Sequence, residues 1–425
     1  MQLIQRFRTE KVRSQRTKEF AHARIATVVA SATSILWIAA CTTEHGSSNT
    51  AVTDSSGVEI IVSTGFAWPE DSGWRLGDQP TLRIGVLEGD PAYEFYEIAG
   101  AWRLSDGRIA IAESGASEIR LYDSQGRHLS STGKEGQGPG EFGSITSLSA
   151  TPLDTMVVLD SRNRRVSYVD PSGTFKRSVP LHFLADMGGF PTHAAPFDDG
   201  TLLIVVRTYF GPGGLGTGLT RDEIVYVRCD ANGALMDTLA VRPGTEMYSA
   251  VQGENRMGGV RPFGLSSQYA THLDGFFHGS GDRYEIEDFT KEGDLRRSLR
   301  RPVANMEVTN ADVEGYKRER IENAEDHMQR QINAALVEAI PFPESFPAYR
   351  SLVVDAEGNL WVGVSRKPGD DQPRWTVFDR TGRMLGEVRT PEGFSIFQIG
   401  EDFVLGRWAD EFDIQHVLMY ELLRE

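Results

Sequence analysis

An all-β fold, built from one antiparallel module used repeatedly, follows from three observations. First, a phrase recurs: an alternating apolar run, then Asp, two residues and Gly. It stands at 121–126, 168–173, 227–233 and 377–382, with a degraded copy at 288–293. Second, a tighter turn recurs at Asp106-Gly107, Leu153-Asp154-Thr155, Asp199-Gly200, Asp274-Gly275, Glu357-Gly358 and Glu401-Asp402. Third, the phrase-ending glycines at 126, 173, 233, 293 and 382 are spaced 47, 60, 60 and 89, and the last gap holds a segment of different character, roughly 305–342. Fixed spacing in this range marks repeat architectures.

Each repeat reads as a four-stranded meander. In the first, 97–104 is apolar-rich, Ser105 to Arg108 turns, and 109–112 is a run of small and branched residues. A loop at 114–117 leads to 119–122, which alternates with period two, and after the Asp123 to Gly126 turn 128–132 forms an outer strand. Alternation of this kind fits a half-buried strand. Asp bonds its own backbone in such turns, and Gly accepts positive φ.

Six inner turns give six modules, and the sixth, ending at 417–420, lacks its outer strand. Two unassigned runs, 58–62 and 81–86, lie near the start of the body. One of them completing the last sheet would close a ring and remove its edges. The expected architecture is a six-bladed β-propeller of four-stranded antiparallel blades, closed by an N-terminal strand; a seven-bladed ring is the competitor. The expected domains are a signal peptide at 1–40, a flexible tether at 41–56 and the propeller at 57–425.

The segment 305–340 is the one helical insertion, expected between blades four and five. Thr309 or Asn310 suits the N-cap, with Asp312 and Glu314 in the first turn. Val313, Tyr316, Ile321, Ala324, Met328, Ile332, Ala335 and Leu336 recur at threes and fours, and Pro341-Phe342-Pro343 ends the run. The pattern predicts a helix lying apolar side down on the propeller face; the alternative is a lid or docking helix over the channel.

The chain of 425 residues carries a net charge of −16. Residues 1–40 hold seven Arg and Lys against Glu10 and Glu19, so the remainder is more acidic still. Nucleic-acid binding depends on cationic side chains releasing counterions, so nucleic acid is excluded as a partner. The basic stretch to Arg24 is followed by a 16-residue apolar run, 25–40, and then by Cys41. A bilayer-spanning helix needs about 20 residues. Ile38-Ala39-Ala40-Cys41 resembles a bacterial lipobox, which implies lipidation of Cys41 and, with Thr42 rather than Asp following, the periplasmic face of the outer membrane. An ordinary signal peptide is the alternative. The acylated N-terminus makes the membrane a partner, since stable anchoring takes two lipid chains. The Ser/Thr-rich stretch from Thr42 to Ser56 then serves as a tether. Only Cys41 and Cys229 exist, so with Cys41 lipidated no disulfide forms and Cys229 is expected to be a buried, inert thiol.

The phrase Gly136-Gln137-Gly138-Pro139-Gly140-Glu141-Phe142, leading into a new inner strand, resembles the linker between NHL repeats. From about Ser56 onward the chain resembles bacterial six-bladed β-propeller lipoproteins of the NHL-like type. The resemblance implies fold and address but no activity. Some NHL-like propellers are lactonases or lyases with a metal in the central channel. By that resemblance Glu113, Asp160, His193 and His278, with Glu97, are the candidate ligands, for Ca or Zn.

Turns of a meander alternate between the two ends of its strands. The short turns therefore share one face of the disc, and the second-to-third loops and the crossings between blades share the other. Every long segment falls in the second class: 209–222, 246–261, 305–346 and 366–373. Function concentrates where loops are elaborated on a rigid scaffold. No nucleophile elbow, P-loop, His-Glu-x-x-His or Cys pair for zinc is present. The densest polar cluster, 160–165, puts Arg162, Arg164 and Arg165 on a second-to-third loop, where guanidinium forks would clamp an anion; an ion-paired loop is the alternative. Tyr209, Arg366 and Trp408 complete the candidate binding set. The expected function is a non-catalytic, lipid-anchored binding or scaffold module, without cofactor, for a protein, peptide or glycan. The alternative is a metal-dependent, lactonase-like hydrolase or lyase with its site in the channel.

Overall fold

The computed structural model describes residues 49–69, 72–208, 218–252, 255–324, 327–338, 340–370 and 372–424. The targeting segment, Cys41 and the tether through 48 lie outside them, as does Tyr209. Among the described residues the strands form six sheets, antiparallel except for one added ladder, and the arrangement is that of a β-propeller.

A hairpin, β1 (Thr50–Ser55) and β2 (Val58–Ser63), comes first, followed by the short strands β3 (Trp74–Leu76) and β4 (Leu82–Ile84). The first sheet is β5 (Ile98–Arg103), β6 (Ile109–Glu113), β7 (Glu118–Tyr122) and β8 (His128–Gly133). The second is β9 (Ile145–Ala150), β10 (Met156–Asp160), β11 (Arg165–Val169) and β12 (Phe175–Pro180), followed by a one-turn helix α1 (Leu184–Met187). The third is β13 (Phe190–Pro196), β14 (Leu202–Thr208), β15 (Gly218–Cys229), β16 (Leu235–Gln252) and β17 (Asn255–Val260). The fourth contains β18 (Gln268–His272), β19 (Gly275–Gly279), β20 (Glu285–Thr290) and β21 (Leu295–Arg300). Helices α2 (Asn310–Glu322) and α3 (His327–Glu338) precede the fifth sheet, β22 (Tyr349–Val354), β23 (Leu360–Val364), β24 (Arg374–Phe378) and β25 (Met384–Arg389). The sixth is β26 (Ser395–Ile399), β27 (Phe403–Ala409) and β28 (Gln415–Arg424).

The recurring phrase is a carboxylate-capped turn. Asp123 Oδ1 accepts from the N–H groups of Gln125 and Arg127, both at 2.9 Å. Asp170, Asp230 and Asp379 repeat the pattern on the residues two and four ahead. In the degraded copy the Thr290 hydroxyl takes the carboxylate's place, accepting from Glu292 and Asp294. The glycine ending each copy has φ between +78° and +87°, a left-handed conformation it adopts without steric cost.

Apolar side chains fill the space between neighbouring sheets. Ala110, Ile119, Leu148 and Val158 join the first to the second. Val157, Val166, Ile204 and Val225 join the second to the third. Val205, Tyr226, Phe276 and Phe289 join the third to the fourth. Phe277, Ile286, Tyr349 and Leu352 join the fourth to the fifth, and Trp361, Val377, Val404 and Leu418 the fifth to the sixth. Ile109, Tyr122, Leu405 and Val417 join the sixth to the first. Close packing of this kind makes each interface sensitive to a single methylene. Cys229 is fully buried in the second of these clusters, and burial pushes its thiol up to about 12.

One of the two N-terminal runs does complete the last sheet, and three expectations change. The run at 81–86 does supply an outer strand to the sixth sheet: β4 pairs antiparallel with β28, as does β3. The run at 58–62 goes elsewhere, because β2 pairs in parallel with β21 and, with β1, widens the fourth sheet to six strands. The tether expected through 56 is therefore strand from Thr50 to Ser55. The insertion is two helices, not one, since Asn323 caps α2 by donating its N–H to Glu319 O. Asn favours such ends because its side chain competes for backbone partners. The N-cap is Thr309, in a capping box with Asp312. The stretch 246–261, expected as a crossing loop, is a ribbon formed by the end of β16 and β17.

Candidate functional site

The ribbon, the helix pair and the loop at 365–370 surround one groove of about 1230 Å³. Tyr248, Gly258, Gly259 and Val260 form the ribbon wall. Tyr316, Glu319 and Arg320 of α2 and its C-cap Asn323, with Gln329, Asn333 and Leu336 of α3, form the opposite wall. Gln268, Tyr349 and Arg350, at the starts of inner strands, lie beneath, and Ser365 to Asp370 close one end.

Local chemistry fixes each wall. Phe263, held at φ +57°, stands 5.5 Å from Tyr316, 5.8 Å from Phe342 and 4.8 Å from Phe346, ring to ring. Tyr248 of the ribbon packs with Val337 and Ile340, and with Tyr316, Ile321 and Leu336. The helices thus lean on the ribbon rather than lying flat on the disc. Asn333 Nδ2 donates to Arg320 O at 2.8 Å and ties α3 to α2. Lys367 Nζ lies 3.2 Å from Asp312 Oδ2, joining the fifth sheet's loop to the helix start. The Thr309 hydroxyl and N–H of the capping box, and after them that lysine, hold the Asp312 carboxyl below the usual range. Arg261 is ion-paired with Glu246 at 3.0 Å.

A bulge recurs at the inner strands. In β5, β9, β13, β22 and β26 one residue near the start is passed over by its partner strand: Ala99, Thr146, Thr192, Arg350 and Phe397. Bulges re-aim a side chain and are common beside active sites. The inner strands neighbour one another, so the five positions lie at the same level. Arg350 is the charged member. It is exposed, it lines the groove, and among the described residues it has no carboxylate partner. Burial of part of the side chain and the nearby charge of Arg366 both lower its pKa. Arg366 lines the same groove and donates to Asp370 O at 3.1 Å.

Of the expected binding residues, Arg366 lines this groove and Trp408 lies beside Gly393, next to its rim residue Glu392. Arg83 sits over the Trp408 ring at 5.5 Å. Arg162, Arg164 and Arg165 are elsewhere, on the second sheet. Arg165 donates to the carbonyls of Gln137, Gly138 and Glu141 and lies 3.4 Å from Asp160. Arg162 pairs with Glu135 at 3.6 Å, and Arg164, at φ +50°, covers the Phe190 ring at 5.8 Å. The polar cluster clasps the glycine-rich linker, with Asn163 Nδ2 donating to Gly136 O at 2.8 Å.

The metal candidates stand apart. Asp160 accepts from the N–H groups of Gly143, Ser144 and Asn163. Glu113 plays the same part in the first sheet, its Oε1 accepting from Tyr96, Glu97 and Gly115. His278 is buried with Nδ1 at 2.8 Å from the Tyr226 hydroxyl, and desolvation lowers it to about 3. The His193 ring lies 5.6 Å from that of Tyr269, tilted against it, and desolvation lowers its pKa to about 4. Among the described residues no three His, Cys, Asp or Glu side chains gather as a metal set.

Arg350, Arg320 and Tyr248 were not singled out by the sequence. Arg350 would have emerged from aligning the five bulged inner strands by their bulge, a register set by pairing that a single sequence does not display.

No protein family and no curated protein matches the chain. Solved structures of similar shape include an exported protein of Bacteroides fragilis, 13% identical, with 86% of this chain and 99% of that one covered and a TM-score of 0.47. A member of the DUF4221 family from Bacteroides vulgatus is 11% identical over 83% and 99%, with a TM-score of 0.49. Virginiamycin B lyase of Staphylococcus aureus is 9% identical over 82% and 99%, with a TM-score of 0.39.

Proposed function

We propose that this chain is an extracytoplasmic, lipid-anchored binding or scaffold module of the NHL-like type, and that its ligand, a protein, peptide or glycan, occupies the groove described above. Its six sheets are the blades of a closed six-bladed propeller, with β3 and β4 completing the sixth. The lipid is carried by Cys41 and holds the protein at the periplasmic face of the outer membrane. The observation that supports the binding reading is one-sidedness: the ribbon, the helix pair and the 365–370 loop belong to three different parts of the chain, yet they line one groove. Ligand sites of folded proteins are concave, pre-formed and few.

Gly259 provides the test. A Cβ there meets nothing within 4 Å, so a large side chain enters the groove without disturbing the ribbon. Full-length protein in detergent is applied to peptide and glycan arrays beside its Gly259→Trp variant. Signals lost in the variant support the reading; signals that persist place the ligand elsewhere. For the lactonase-like alternative, Glu113 and Asp160 are already engaged by backbone N–H groups at the entries to their blades.

A further inference from the structure

The groove has a wall whose backbone is open and a floor whose charge is unanswered. Among the described residues strand β17 is the last in its sheet, paired on one side with β16. Its Gly258 and Gly259 line the groove, so a second backbone has room to approach. Edge strands of this kind accept an extended segment through main-chain hydrogen bonds. Arg350, passed over by its partner strand, lines the same space, and so does Arg366. Among the described residues neither guanidinium is ion-paired to a carboxylate, although Glu319, Asp370 and Glu392 line the same groove, and in a protein of net charge −16 the two form a local positive site against the overall field. Guanidinium forks match carboxylates in bidentate geometry.

Resting on the binding reading above, we infer that the ligand is an acidic peptide segment, one carboxylate held between Arg350 and Arg366 and the backbone running along the open edge of β17. The peptide class follows from the edge strand, which offers a ladder of N–H and C=O groups that a sugar chain does not match.

The test uses full-length protein in detergent and a fluorescein-labelled hexaglutamate peptide, read by anisotropy. Hexaglutamate binds and hexaglutamine does not. Arg350→Gln and Arg366→Gln each weaken binding by about tenfold or more, the scale of a lost charge-assisted hydrogen bond. Arg350→Lys, which keeps charge and loses the fork, gives an intermediate loss. Arg164→Gln, away from the groove, changes nothing, and unchanged thermal midpoints show that the groove variants remain folded. Equal binding by Arg350→Gln, or no binding of hexaglutamate, overturns the inference. So does an oligogalacturonate of equal charge that binds as tightly, since it assigns the site to acidic sugar. An array ligand lost in Gly259→Trp but indifferent to Arg350→Gln leaves the groove reading standing and removes this one.

Discussion

The hydroxyl of Tyr226, on the third sheet, lies 2.8 Å from Nδ1 of His278, on the fourth, with both side chains buried. Phe276 stacks on the same tyrosine at 4.5 Å. A polar contact thus lies against the apolar cluster that fills this interface. Burial holds His278 neutral, with its pKa at about 3 against an ordinary 6.5. The unfolded chain then binds more protons than the folded one between these values. Stability is therefore full above pH 6.5 and is lost as pH falls toward 3. At pH 5 the loss from this residue is about 2 kcal/mol. Denaturant titrations at pH 7.5 and 5 should show a smaller pH dependence in His278→Asn than in the parent. Equal dependence in the two proteins would contradict the assignment.

Asp160 is fully buried and holds four groups that begin the second sheet, among them Arg165. Without Asp160 the N–H groups of Gly143, Ser144 and Asn163 lose their acceptor, and an orphaned buried donor costs about 1–3 kcal/mol. Asp160→Ala should lose about that much in chemical denaturation. Glu135→Ala, which removes the exposed partner of Arg162, should lose less than about 1 kcal/mol. A mild effect at Asp160 would show that the linker is held by something else.

Gly279 faces the Tyr349 hydroxyl so closely that a Cβ would lie 1.9 Å from it. Tyr349 is fully buried and donates to Glu285 O at 2.6 Å, so it has no room to withdraw. Gly279→Ala should destabilise by about 1–3 kcal/mol, the range for overpacking a core. Adding Tyr349→Phe removes the clashing oxygen, so the double variant should lose less than the two single losses combined. Strict additivity would refute the contact.

Much of this was legible in the sequence because short-range chemistry writes it there. The Asp and Gly of each turn are local, and Thr290 shows how far a copy can drift while keeping its acceptor. The one-sided distribution of long segments was legible too, since strand alternation alone puts 246–261, 305–346 and 366–373 at one end. What they build there was not. The ribbon required pairing between Met247 and Val260, and the helix break at Asn323 required a competition between local caps. The parallel pairing of β2 with β21 joins residues more than two hundred positions apart and has no local signature. The role of Arg165 stayed hidden for the same reason, because its partners are carbonyl groups, which every residue carries.

The closed ring proposed above rests on the pairing of the N-terminal strands β3 and β4 with β28. Arg75 pairs with Leu423 across the β3–β28 ladder. Antiparallel partners stand about 4.5–5.5 Å apart, within disulfide reach. In a Cys41→Ser background, Arg75→Cys with Leu423→Cys should oxidise to one internal disulfide. The bond should raise stability by about 4–5 kcal/mol, because the closed loop is long. Two thiols that stay free and reactive in the folded protein would mean that these strands do not meet, and the closed ring would fall with them.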